Sequence, residues 1–331
     1  MKAAWYERLG AAREVLQVGE VEHRTPGPGE VQVRIHWSGV NPTDVKRRAG
    51  ASGPLPFARV IPHMDGSGII DAVGPGVDSA RIGQPVWLHR AAWKRPQGTC
   101  AEAVVLPQEL AQPLPSGIDL RVGATLGVPA LTAHRAVFGF GPVRDRTLLV
   151  TGGAGSVGSY AIQLARWGGA RVIATVSSEL KADHARRSGA QAVINYRQED
   201  VARRVLELTG GLGVDHLVEV DFGTNLAATV LLMKSQGTIA AYASAGEPQP
   251  ALPVYAMQRK SLSLMFVALF ELPPAVQQAA ADDVNAWLAA GSFEPPSIHA
   301  FDLDEVAAAH EAVEQAAVPG KVLVRVGARV S

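Results

Sequence analysis

The sequence has one cysteine, Cys100. A single thiol excludes an internal disulfide framework and any metal site built from several thiolates. Excess charge is also missing: 31 Lys and Arg residues balance 31 Asp and Glu residues. Nothing in that balance asks for a nucleic acid or an acidic membrane surface as partner. The short basic runs Lys46-Arg47-Arg48 and Arg186-Arg187 read as solvated faces. No apolar run approaches the roughly 18 residues of a membrane-spanning helix. The longest candidate, SLSLMFVALF at residues 261–270, reads as a buried or interface strand. The opening MKAAWYERLG lacks the apolar core and cleavage site of a secretory signal, so the expected setting is a reducing cytoplasm. There is no internal repeat.

What is present is enough chain for two globular domains: 331 residues, 47% hydrophobic and 19% charged. The first part reads as short strands and turns. VQVRIHWSGV follows the turn cluster PGPGE, and SGIIDAVG, QPVWLH and CAEAVVLP continue the pattern. The character changes near residue 120. A helix is expected at 122–138. The strand TLLV then leads into the helix SVGSYAIQLARWGG, and the strand RVIATV into the helix ELKADHARRSGA. The steps AVINY, EDVARRVLELTGG, VDHLVEV and AATVLLMKSQGTIAAYA repeat the alternation. Strand alternating with helix implies a parallel sheet covered on both faces. The tail supplies two helices, ADDVNAWLAAGSF and FDLDEVAAAHEAVEQ, the second capped by Asp302 or Asp304, and the strand KVLVRV. We expect an α/β protein with a discontinuous β-rich domain, 1–120 and 266–331, and a doubly wound domain, 121–265.

TLLV runs into TGGAGSVG, where Gly153, Gly155 and Gly158 fit G-x-G-x-x-G between a strand and a helix. In that context the pattern is a dinucleotide fingerprint. The first glycine permits the tight turn, the second admits the pyrophosphate close to the backbone, and the third lets helix and sheet pack closely. The helix N-terminus, with Ser156 and Val157, offers N–H groups and the positive end of its dipole. The short-chain dehydrogenase pattern TG-x-x-x-G-x-G fails, because Ser156 stands at its second glycine and no Tyr-x-x-x-Lys pair exists. At the end of RVIATV, where a carboxylate would hold the adenosine ribose, the chain reads VSSELK. Ser177 and Ser178 can donate to phosphate oxygens, Lys181 adds a charge-assisted contact, and Tyr196 can donate from the next strand end. The site selects NADPH over NADH on this reading, with Glu179 an outward-pointing partner of a helix dipole.

The segments GVNPTDVKRRAG, GSGIIDAVGPGV, CAEAVVLP, GVPALTAHRAV, LLVTGGAGSVGSYAIQLAR, AQAVINYRQEDV, GGLGVDHLVEV and PGKVLV together resemble the medium-chain dehydrogenase/reductase superfamily. The resemblance is closest to its zinc-free quinone oxidoreductases, the ζ-crystallin-like group, and covers nearly the whole chain. It implies a GroES-like β domain closed by the tail, a Rossmann domain, and the cofactor in the cleft between them. The positions of the superfamily's zinc ligands hold Asn41, Met64 and Asp65, with His63 one residue off; Asn and Met are poor zinc ligands. By the same resemblance Asn41 orients the substrate carbonyl near the nicotinamide ribose. Thr132 contacts the nicotinamide side, Lys181 and Tyr196 hold the 2′-phosphate, Tyr242 and Ser244 flank the cofactor, and Phe266 lies near the nicotinamide amide. Departures are His63 in place of a usual glycine, Cys100 in place of an aromatic, and a long loop at 89–99, whose Trp93 is a candidate to line the acceptor pocket. The implied activity is NADPH:quinone oxidoreductase-like reduction of quinones or α,β-unsaturated carbonyls by metal-free hydride transfer, the oxyanion being met by Asn41, a ribose hydroxyl or water. Two other readings stay open: a zinc-free enoyl-thioester reductase, and a non-enzymatic NADPH-binding protein of the crystallin or RNA-binding type, the latter disfavoured by the neutral charge. The apolar 261–270 edge implies a homodimer, or a dimer of dimers giving a homotetramer.

Overall fold

The computed structural model describes residues 1–291, 293–315 and 320–327. They form two compact units, Met1–Val128 with Pro295–Ser331, and Pro129–Glu294.

The first unit begins with β1 (Lys2–Trp5), α1 (Ala12–Val15) and β2 (Gln17–Glu20). It continues through β3 (Glu30–Val40), α2 (Pro42–Ala49), β4 (Asp65–Val73), β5 (Pro85–Leu88), β6 (Ala103–Pro107) and β7 (Ala111–Pro113). Then comes α3 (Leu120–Phe138), inside which the division between the units falls. α3 runs through Pro129 without ending.

The second unit continues with β8 (Thr147–Val150), α4 (Ser156–Trp167), β9 (Arg171–Val176), α5 (Glu179–Arg187) and β10 (Ala192–Asn195). It goes on with α6 (Val201–Leu208), β11 (Val214–Glu219), α7 (Phe222–Leu232), β12 (Met233–Ala241), α8 (Val254–Arg259), β13 (Ser263–Phe266) and α9 (Pro274–Ala289). The tail returns to the first unit as β14 (Ile298–Asp302), α10 (Val306–Glu314) and β15 (Lys321–Arg325).

In the first unit a seven-stranded sheet runs β14-β15-β3-β4-β5-β7, with β6 also on β3. The tail strand β15 pairs antiparallel with β3, Val322 opposite Val40. Inward residues Val31, Val33, Ile35, Ile70, Leu88, Leu106 and Val324 meet in one core. Along β3 the buried Val33 and Ile35 flank the exposed Arg34, while the end of β3 and the start of β4 are buried on both faces. In the second unit six parallel strands run β10-β9-β8-β11-β12-β13. That is the doubly wound Rossmann order. Its central strands are buried without alternation because helices cover both faces.

Two expectations change. The sequence reading returned the chain to the first unit at residue 266; in the structure it returns at Pro295. The reason is packing: Trp287 of α9 stacks edge-on against Tyr160 of α4 at 5.9 Å. The Gln163 side chain donates to the Glu294 carbonyl and accepts from the Glu294 N–H. The expected helix FDLDEVAAAHEAVEQ begins later than its sequence suggests, because residues 298–302 pair with β15 as a parallel strand. Asp302 does act as a cap: its N–H donates to Glu305 in a capping box over a single 3-10 turn.

Candidate functional site

In an open parallel sheet, ligands bind outside the carboxyl ends of the strands where the strand order reverses. Here that point lies between the neighbours β8 and β11. The glycines after β8 divide their labour differently from the sequence expectation. The left-handed residue is Gly152, one ahead of the motif, with φ +65°. At Gly153 a Cβ would press on Ala174 and Ile162, so its constraint is packing and not the turn. At Gly158 a Cβ would stand 2.3 Å from the Gly152 carbonyl oxygen. Only glycine lets α4 start this close to the turn. Gly155 caps α4, and a Cβ there would meet nothing within 4 Å except the Gly152 oxygen. Ser156, Val157 and Gly158 form the first turn of α4, where helix N–H groups lack intrahelical acceptors and attract anions.

The VSSELK stretch closes β9. Lys181 Nζ donates to Ser177 Oγ at 3.1 Å. Ser178 caps α5, its Oγ accepting from Lys181 N. Glu179 turns away from this group and pairs with Arg186 at 2.6 Å. Tyr196, just past β10, is half exposed and donates its N–H to the Val176 carbonyl. Ser177, Ser178, Lys181 and Tyr196 are thus gathered at one strand end, and the neighbouring Glu179 is paired with Arg186.

Tyr242, Ser244 and Phe266 follow or end β12 and β13 on the same carboxyl edge. The Tyr242 N–H donates to the Glu219 carbonyl, and burial pushes its hydroxyl pKa up. Ser244 Oγ accepts from Gly223 N and donates to the Glu247 carbonyl at 2.5 Å, so its hydroxyl is committed within the turn. Phe266 is 66% exposed and packs edge-on against Phe222. Thr132 is buried on α3. Sequence reasoning missed Glu219, the last residue of β11. Its Oε1 accepts from Thr151 Oγ1, Asp221 N and Asn225 Nδ2, tying the glycine turn to β11. Its Oε2 is buried with no partner, and burial raises its pKa. An acid closing a buried strand was the available signal.

In the first unit, Asn41 is the N-cap of α2 and is buried. Its Nδ2 donates to Asp65 Oδ2 at 2.7 Å, and its Oδ1 accepts from Lys321 Nζ. Lys321 Nζ also reaches Asp65 Oδ2 at 3.2 Å, and the Val128 N–H donates to Asp65 Oδ1 at 2.8 Å. Burial pushes the Asp65 carboxyl up while Lys321, Asn41 and Val128 pull it back. Asp44 Oδ2 accepts from Asn41 N at 2.9 Å. Burial and the neighbouring Asp65 raise the Asp44 carboxyl to about 7.

His63, the departure from a usual glycine that the resemblance marks, has φ +79°. That is a glycine conformation, which accounts for the glycine usual at this place. Its side chain is held from both ends, by Ser38 Oγ at 2.7 Å and by His310 Nε2 at 2.9 Å. Both rings are buried and held neutral by desolvation. Burial likewise raises the Cys100 thiol, leaving it unreactive. Trp93 of the long loop carries Arg47 and Lys94 over its ring, at 5.7 and 5.5 Å.

Residues 27–116 match the family model of the alcohol dehydrogenase GroES-like domain, and residues 156–285 match that of zinc-binding dehydrogenase. The chain is 32% identical over 302 residues to a quinone oxidoreductase of Pseudomonas aeruginosa, covering 90% of this chain and 91% of the relative. A solved quinone oxidoreductase of Pseudomonas syringae pv. Tomato DC3000 superposes with a TM-score of 0.86 at 28% identity, over 98% of this chain and 99% of the other. A mycobacterial protein solved in complex with NADPH superposes at 0.84 and 27% identity, over 98% and 100%.

The zinc named by one family model does not fit these residues. Asn41, Met64 and Asp65 offer one good ligand, and a lysine ammonium bonds to two of the three. Among the described residues no group of three or more His, Cys, Asp or Glu side chains is arranged to hold a metal ion. No helix among them is long and apolar enough to cross a membrane.

Lys181→Ala is expected to weaken NADPH binding about tenfold, the loss of one charge-assisted contact, and to leave NADH binding unchanged; fluorescence titration with both nucleotides checks it. Asp44 ionises near 3.8 unfolded and near 7 folded. Between those values the folded chain holds a proton that the unfolded chain has lost, so stability falls as pH rises from about 4 to about 7. Asp44→Asn removes that slope, which urea midpoints at pH 5 and pH 8 measure for both proteins.

Proposed function

The chain belongs to the quinone oxidoreductase family of the medium-chain dehydrogenase/reductase superfamily, and on that premise we propose that it reduces quinones or α,β-unsaturated carbonyls with NADPH, by hydride transfer and without a metal. The observation that carries the reading is the strand-end group of Ser177, Ser178, Lys181 and Tyr196, with Glu179 drawn away by Arg186. A ribose-binding carboxylate would repel a 2′-phosphate; a lysine, hydroxyls and a phenol attract one.

The pyrophosphate rests on Gly153, Gly155, Ser156, Val157 and Gly158. Thr132, Tyr242, Ser244 and Phe266 flank the nicotinamide half. Ser244 contributes backbone and shape, because its hydroxyl is already used. The bound dinucleotide supplies the hydride, and the chain's own contribution is to hold the reactants in one pose and to keep water away. Asn41 orients the acceptor: with Oδ1 on Lys321 and Nδ2 on Asp65, its amide retains one N–H for a developing oxyanion.

The test is NADPH oxidation under argon with benzoquinones, naphthoquinones and enones. Turnover at least tenfold faster than with NADH, and indifferent to chelators, is the expected result. Silence with every acceptor, or loss of activity in a chelator, sinks the proposal.

The same reading includes a homodimer. β13 is the edge strand of its sheet, and Phe266, Leu231, Leu252, Val254 and Tyr255 are large exposed apolar residues of this unit. Such a set marks an association surface. Sedimentation at micromolar concentration is expected to give a dimer or tetramer, and a monomer would contradict this part.

A further inference from the structure

The residues that fail to fit zinc are not merely a vacated site, because a different cation holds two of them, Asn41 and Asp65. Lys321 is the first residue of β15, 280 positions from Asn41 in sequence. Its side chain is 2% exposed and that of Asp65 is fully buried. The ammonium can only donate and an ionised carboxylate can only accept. With Lys321 on one side and Asp65 on the other, the Asn41 amide has one consistent orientation, oxygen to lysine and nitrogen to aspartate. Asp65 is fixed in turn by the Val128 N–H, and the Asn41 backbone by Asp44. The amide is therefore held between two side chains, Lys321 and Asp65, that are themselves bonded to each other.

We infer that the Lys321 ammonium does here the orienting work that a metal ion would do at this place: bonded to both Asp65 and the Asn41 oxygen, it sets the Asn41 amide in a single pose, which makes Lys321 a positioning residue for the reaction. The inference rests on the proposed role of Asn41 at the acceptor. It assigns Lys321 no contact with the substrate and no proton transfer. Its consequence is that the site's cation is covalently tethered, so neither chelation nor added zinc can change it, whereas truncating the lysine leaves an ammonium-sized hole between an amide oxygen and a carboxylate.

Lys321→Ala tests this. Loss of a partner that orients a functional ligand usually changes activity about 10–100-fold. We expect kcat to fall by about that factor, with the NADPH dissociation constant changing less than about threefold. Methylamine or ethylamine should restore part of kcat saturably, while tetramethylammonium at equal ionic strength and zinc chloride should not. The Asn41 side-chain amide should give one pair of 15N–1H resonances in wild type, shifted or broadened in the variant and recovered with amine. If Lys321→Ala leaves an unpaired charge that prevents folding, Lys321→Met with Asp65→Asn removes both charges together. That double variant should fold, bind NADPH and keep the low kcat.

Wild-type kcat in either variant overturns the inference. So does a folded Lys321→Ala that amines do not rescue, or unchanged Asn41 amide resonances in it. If wild type reduces no acceptor yet the Asn41 resonances respond as expected, the functional reading has failed and the positioning has not.

Discussion

The buried pair between Lys321 and Asp65 is the interaction on which the first unit depends. It joins the returning tail strand to the start of β4, and through Asn41 and Val128 it reaches the start of α2 and the middle of α3. Desolvating two charges is expensive, and such a pair contributes little net stability over an apolar replacement. Removing one partner alone typically costs about 3–5 kcal/mol, because the other is left buried and unpaired. The pair is therefore better understood as a device that fixes geometry than as a source of stability. What it fixes is an amide whose donor and acceptor ends are no longer interchangeable.

The second unit rests on a steric constraint. The glycine turn and α4 approach until only a hydrogen fits at Gly158, and Glu219 locks that turn to β11 through Thr151. The residues facing the expected cofactor then come from the carboxyl ends of successive parallel strands. Their convergence results from strand direction alone, since every strand of this sheet ends on the same edge. The proposed phosphate contacts of Ser177, Lys181 and Tyr196 would be an addition to this edge. Glu179, the one acid within VSSELK, is taken up by a helix-surface ion pair with Arg186.

How much of this was legible in the sequence depends on how local each signal is. The strand–helix alternation, the fingerprint turn and the VSSELK group lie within short windows, and each formed near its expected place. Gly152 carried the turn in place of Gly153, because a glycine pair offers two candidates and the pattern cannot rank them. The boundary at Pro295 was unreadable, since α9 looks like any helix until Trp287 meets Tyr160. Lys321, which the expected site omits, meets Asn41 across 280 residues. His63 and His310 meet across 247. No periodicity encodes pairs so distant. The commitment of the Ser244 hydroxyl and the capping role of Ser178 were hidden for the opposite reason. Serine in a turn bonds its own backbone as readily as a ligand.

The central claim is that hydride passes directly from a dinucleotide to an organic acceptor, the protein supplying orientation and no metal. The most direct measurement uses NADPH deuterated at C4 of the nicotinamide, in each of its two stereochemical forms, with an enone acceptor in ordinary water. The account predicts that one form, and only one, delivers its deuterium to the β-carbon of the product, with the α-hydrogen drawn from solvent and the same result after exhaustive chelation. A product free of deuterium from both forms, or one whose labelling disappears with the chelator, would contradict it.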